Sequence, residues 1–170
     1  DTPNLDDLKT INDATSGSIK ILDRTVTYSG SATVLAAALD GTVTDGNGDA
    51  LTGTITISGL DPTLTQLRTI NDGTSGTIIL PNPSESFSGT AVNLASALSN
   101  GSFTGPMTIT GDNPTEVQLQ TINNATSGAI KVPNRDVTFS STATILAQAL
   151  AKSSGGVAIT DANGNALNGA

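Results

Sequence analysis

The eight residues "TINDATSG" at 10–17 return as "TINDGTSG" at 69–76 and as "TINNATSG" at 121–128. A catalytic signature serves one site, because reacting groups must converge on one substrate. A phrase written three times along a chain belongs to an array, in which each copy does the same structural work. The recurrence reaches well beyond the phrase. Offsets of 59 and 52 positions relate Ile11, Ile70 and Ile122, and they also relate Pro3, Pro62 and Pro114. The same offsets relate Tyr28, Phe87 and Phe139, and then Leu39, Leu98 and Leu150. No gap interrupts the match from the proline to the last leucine. The difference in length falls afterwards, in "DGTVTDGNGDALTGTITISGLD" at 40–61 and "SNGSFTGPMTITGDN" at 99–113. Three repeats follow, at 1–60, 61–111 and 112–170. The third reads as truncated, since "VAITDANGNALNG" at 157–169 matches 43–53 only loosely.

Each repeat opens on a helix signal. Thr2, Asp61 and Asn113 are candidate N-caps, each followed by a proline at the expected first helical position. Leu8 and Ile11, Leu67 and Ile70, Leu119 and Ile122 mark a buried stripe. Asn12, Asn71 and Asn123 lie on that same face, where an inward asparagine is expected to satisfy backbone groups that would otherwise be buried unpaired. Thr-Ser-Gly closes the helix, with Gly17, Gly76 and Gly128 expected in the left-handed region. Alternation in Ile19-Lys20-Ile21, Ile78-Ile79-Leu80 and Ile130-Lys131-Val132 predicts a strand.

After a turn and a short extended piece at the recurring aromatic comes a second helix. Its expected stripe is Ala32, Leu35, Ala36 and Leu39, repeated as Ala91, Leu94, Ala95, Leu98 and as Ala143, Leu146, Ala147, Leu150. A final strand is clearest at 54–57 and 107–110. Helix, strand, helix, strand, with connections long enough for parallel pairing, predicts an α/β fold. The expected form is a tandem-repeat, solenoid-like stack, right-handed by the crossover rule, with hairpins in the longer connections. The alternative is a string of small α+β domains. Repeats this short and this poor in aromatics bury little surface alone, which favours the stack.

Of the 170 residues 36% are hydrophobic, 13% charged and 2% aromatic, so any core is built from Ile, Leu, Val and Ala. Net charge is −8 and the seven Lys and Arg form no cluster, which argues against a nucleic-acid partner. With neither cysteine nor histidine, thiol chemistry, disulfides and Cys/His zinc sites are ruled out. No stretch approaches the roughly 18–20 apolar residues that a bilayer-spanning helix needs, so membrane insertion is not expected.

Asp45, Asn47 and Asp49 in "TDGNGDALTG" alternate with glycines, as oxygen ligands do in calcium loops, and are the candidate metal set. "TDANGNALNG" repeats the pattern with Asp161, Asn163 and Asn165. No acidic residue follows at the spacing of an EF-hand. Asn47-Gly48 and Asn163-Gly164 are type I′ turn dipeptides, so a hairpin is the stronger expectation. Thr-x-Thr at 25–27, 42–44, 54–56 and 108–110 falls at non-equivalent places, which fits β-propensity better than a water-ordering ladder. Asp6 and Asp7 are adjacent on a helix and diverge by about 100°, so they are no facing acid pair. No catalytic residue is expected, and no cofactor other than calcium.

"LKTINDATSGSIKI", "TLTQLRTINDGTSGTIIL" and the Ala/Leu helix together resemble tandem repeats of giant bacterial, including cyanobacterial, secreted cell-surface proteins. That resemblance implies an acidic, cysteine-free, adhesin-like chain outside the cell. The expected function is a non-enzymatic structural segment that extends, spaces or scaffolds a large surface protein. Its partners would be neighbouring repeats, with end-to-end self-association through exposed terminal repeats. A ligand- or glycan-binding adhesin module is the alternative, weakened by the scarcity of aromatics for sugar stacking.

Overall fold

The computed structural model describes residues 2–151 and 159–168, so Val157, Ala158 and Gly169 of the closing stretch lie outside the described residues. The chain forms two compact units, Asp1–Asn82 and Pro83–Ala170. The division falls inside the second repeat, so each unit contains one place where two successive repeats meet.

The first unit runs α1 (Leu5–Ala14), β1 (Ile19–Ile21), β2 (Tyr28–Gly30), α2 (Ala32–Leu39), β3 (Val43–Asp45), β4 (Ile55–Ile57), α3 (Leu64–Asp72) and β5 (Ile78–Ile79). Here β1 pairs with β3, and β4 lies between β2 and β5. The second unit runs β6 (Phe87–Gly89), α4 (Ala91–Leu98), β7 (Met107–Ile109), α5 (Glu116–Ala125), β8 (Ile130–Val132), α6 (Ala143–Leu150) and β9 (Thr160–Asp161), with sheet order β6-β7-β8-β9. All six pairings between these strands are parallel. A helix lies in the connection between each pair, as parallel strands require. The molecule is α/β, with the extended pieces at Tyr28 and Phe87 realised as strands in their own right.

The first helix of each repeat starts two residues later than the prolines suggest. Asn4, Thr63 and Thr115 are the N-caps, not Thr2, Asp61 and Asn113. Thr63 and Thr115 form reciprocal boxes with Gln66 and Gln118, each pair satisfying two backbone donors. At Asn4 the Asp7 amide donates to Oδ1 at 2.9 Å, while the Asp7 carboxylate accepts from the Asn4 side chain instead of its backbone amide. Three residues beyond Thr2 and Asp61 stands a leucine, which cannot reciprocate, and Glu116, three beyond Asn113, accepts instead from the Ser140 amide. Each proline is therefore left just outside the helix, ahead of its cap.

Strand alternation buries one face and leaves the other open. Ile19 and Ile21, Ile55 and Ile57, Met107 and Ile109, Ile130 and Val132 are buried, while Lys20 and Lys131 between them are exposed. The helices cover the buried face. Helix α2 packs against both α1 and α3, and α4 and α6 both pack against α5. The buried residues of α2 are Ala32, Leu35, Ala38 and Leu39, and those of α4 are Ala91, Leu94, Ala97 and Leu98. Ala36 and Ala95 are only half-buried, and the buried alanines are Ala38 and Ala97 instead. In α6 only Ala149 is buried, and Leu150 is 44% exposed where Leu39 and Leu98 are closed off. No described helix covers that side of α6.

Candidate functional site

The asparagine amide and threonine hydroxyl of the recurring phrase are bonded to backbone. The last carbonyls of a helix have no partner within it. Asn12 Nδ2, on α1, donates to the carbonyls of Ala37 and Asp40 at the end of α2, both at 2.7 Å. Asn123, on α5, repeats this at the end of α6, donating to Gln148 and Ala151 at 3.0 and 2.9 Å. An amide has two donor hydrogens, so one asparagine closes two open carbonyls of its neighbouring helix. In the first and third repeats the asparagine on the apolar face thus staples the repeat's two helices together.

The threonine and glycine of the phrase face the preceding repeat. Thr74 Oγ1 donates to the Leu51 carbonyl at 3.1 Å and accepts from the Gly76 amide at 2.9 Å. Thr126 Oγ1 donates to the Gly105 carbonyl at 2.7 Å and accepts from the Gly128 amide at 2.9 Å. The Ser75 and Ser127 amides donate to Leu51 and Phe103 at 2.8 and 3.0 Å. Gly17, Gly76 and Gly128 are not in the left-handed region, contrary to the expectation from the sequence, and for the latter two the reason is a contact. Close approach requires them instead: a Cβ would stand 2.1 Å from the Gly53 carbonyl oxygen at Gly76, and 2.2 Å from that of Gly105 at Gly128. The recurrence of Leu51-Thr52-Gly53 as Phe103-Thr104-Gly105, just before the final strand, is the sequence signal for this contact.

The candidate metal residues Asp45, Asn47 and Asp49 share one tight turn. The Asn47 and Asp49 amides donate to Asp45 Oδ1 at 2.8 and 3.0 Å, and Asp49 Oδ2 lies 3.3 Å from Arg24. The loop is a three-residue hairpin turn: the Asp45 amide donates to the Asp49 carbonyl, and the Gly48 amide to the Asp45 carbonyl. Only Gly48 has a positive φ, +90°, so the turn is a type I turn closed by a glycine bulge and not type I′, which needs a positive φ at Asn47 as well. Asp161 repeats the arrangement, accepting from the Asn163 and Asn165 amides at 2.9 and 2.7 Å. The Asp49 amide foremost holds the Asp45 carboxyl below its ordinary value, against the opposing effect of burial, with the Asn47 amide and Arg24 adding. The Asn165 side-chain amide does most to lower Asp161.

Chemically, both aspartates act as acceptors for the amides of their own turns. No group of three His, Cys, Asp or Glu side chains gathers among the described residues. No helix of the described residues is long and apolar enough to cross a membrane. Comparison with family models, with curated proteins and with solved structures gives no match for this chain.

Proposed function

We propose that the chain is a non-enzymatic structural segment of a large bacterial surface protein, in which successive repeats stack as a solenoid and thereby extend or space other parts of that protein. The observation that carries this reading is the repeat-to-repeat contact. In both units the threonine hydroxyl and serine amide of the recurring phrase donate to the preceding repeat's carbonyls, and its glycine packs against one of them. The acidic residues support the same reading: Asp45 and Asp161 serve turns, while Asp7 serves a cap. The extracellular setting rests on the repeat style, the acidic composition and the lack of cysteine.

A stack gains stability with each unit added, because every repeat contributes an interface as well as itself. Inserting a second copy of residues 60–111 after Gly111 keeps the 52-residue register. The lengthened chain should unfold at a higher urea midpoint and with a steeper denaturant dependence, since more surface is exposed at once. An added copy that melts separately, or leaves the midpoint where it was, would refute the stack.

A further inference from the structure

We infer that α1 and the free edge of β1 form a docking face for a strand–helix–strand segment of this same repeat type, such as Pro83–Gly111 supplies to α5. Its last strand would run parallel to β1 and carry the pattern Leu/Phe-Thr-Gly-x-Ile/Met-Thr-Ile, as residues 51–57 and 103–109 do. This deepens the stacking reading and rests on it.

The argument is one of equivalence within the chain. Strand β8 is paired on both sides, with β7 through Met107↔Ile130 and with β9 through Val132↔Asp161. Strand β1 stands at the same place in its repeat and, among the described residues, pairs only with the β9-like partner, β3. The β7-like position is vacant. Edge strands are commonly guarded by a charge, and Lys20 sits on β1. Its equivalent, Lys131, lies in a strand paired on both sides, so a lysine here does not bar a partner.

The vacancy leaves three further marks. Ile11 is 45% exposed, whereas Ile70 and Ile122 are fully buried. Thr15 is exposed with the same internal bond, accepting from the Gly17 amide at 3.0 Å, but no carbonyl receives its hydroxyl hydrogen as Leu51 and Gly105 do for Thr74 and Thr126. Gly17 makes room for nothing, since the nearest atom to a Cβ there is Thr15 Oγ1 at 3.4 Å. The space lies open as a groove of about 640 Å³ lined by Thr10, Ile11, Ile19 and Ile21, among others. Each mark matches what the two filled junctions would show without the segment packed on them.

Fusing residues 83–111 directly ahead of Asp1 places such a segment in register, because Asp112 is the equivalent of Asp1. The fusion and the parent chain would be compared by thermal melting and amide exchange, each with and without Gly17→Val. Docking should raise the first unit's midpoint by about 5 °C and slow exchange at the Ser16 amide at least tenfold, matching Ser75 and Ser127. Both gains should vanish with Gly17→Val, while the same substitution in the parent leaves its midpoint unchanged. No gain, or a gain indifferent to Gly17→Val, would overturn the proposal. So would parent chains that pair with one another through this face, seen as Gly17-dependent association in sedimentation, since a second copy would then be the occupant. Failure here with the lengthened array still gaining stability would leave the stacking reading standing.

Discussion

Thr15 and Thr74 occupy the same place in the same phrase, and both accept a hydrogen bond from the amide two residues on. One is exposed to water and the other is 4% exposed. The phrase therefore takes its shape from its own residues, while its burial comes from the segment that precedes it. Local sequence builds the socket, and a neighbouring repeat fills it. Substitutions at matched positions of the filled and open copies separate these two contributions.

Glycine gives the widest separation. Gly76→Val drives a side chain into the Gly53 carbonyl and should cost above about 3 kcal/mol, lowering the midpoint of a unit this size by roughly 12 °C or more. Gly17→Val meets no such wall and should cost less than about 0.5 kcal/mol. Equal losses at the two positions, measured by urea unfolding, would mean that the glycine serves the phrase itself and not its neighbour.

Isoleucine follows. Ile70→Ala removes a fully buried side chain and should cost about 3 kcal/mol. Ile11→Ala, at a half-open site, should cost under about 1 kcal/mol. Asparagine sharpens the comparison in the other direction, because its partner lies within its own repeat. Asn123→Leu strands two helix-end carbonyls and should cost about 2 kcal/mol. Asn12→Leu should cost about 1 kcal/mol, since Asn12 is less buried and water can reach the freed carbonyls. A ratio between these two as large as that between the glycines would show that the asparagine, too, depends on the neighbouring repeat.

Much of this was legible in the chain itself. The period, the parallel α/β class, the inward asparagine and the recurring strands all follow from spacing, because side-chain periodicity is a local property. Three things were not. The caps lay at Thr63 and Thr115 because a reciprocal Gln three residues on outweighs a proline's preference for the first turn, and at Asn4 because its side chain takes the Asp7 amide. Gly76 and Gly128 were assigned to a backbone conformation when they serve a contact, and no local signal distinguishes those roles. The exposure of Ile11 and Leu150 was invisible, since both keep the residue type that their buried equivalents need.

The smallest expected effects belong to the aspartate turns, where the comparison is between a turn and a calcium site built from Asp45, Asn47 and Asp49. Asp45 and Asp161 have folded-state values below 3.8, their ordinary value. A depressed carboxyl contributes stability that is fully present above the unfolded value and is lost as pH falls through the folded one. The urea midpoint should therefore hold level above about pH 5 and decline below pH 4. The double variant Asp45→Asn with Asp161→Asn should flatten that decline, because an amide has no proton to gain. Calcium tests the same residues from the other side. Anything that binds only the folded chain raises its midpoint in proportion to RT ln(1 + [L]/Kd). With Asp45 Oδ1 already accepting two amides and Asp49 turned to Arg24, melts with millimolar calcium and with chelator should superimpose. A rise that disappears in Asp45→Asn would instead show that the turn opens to bind the ion, and that its two amide bonds are weaker than a calcium ion's hold on the same oxygen.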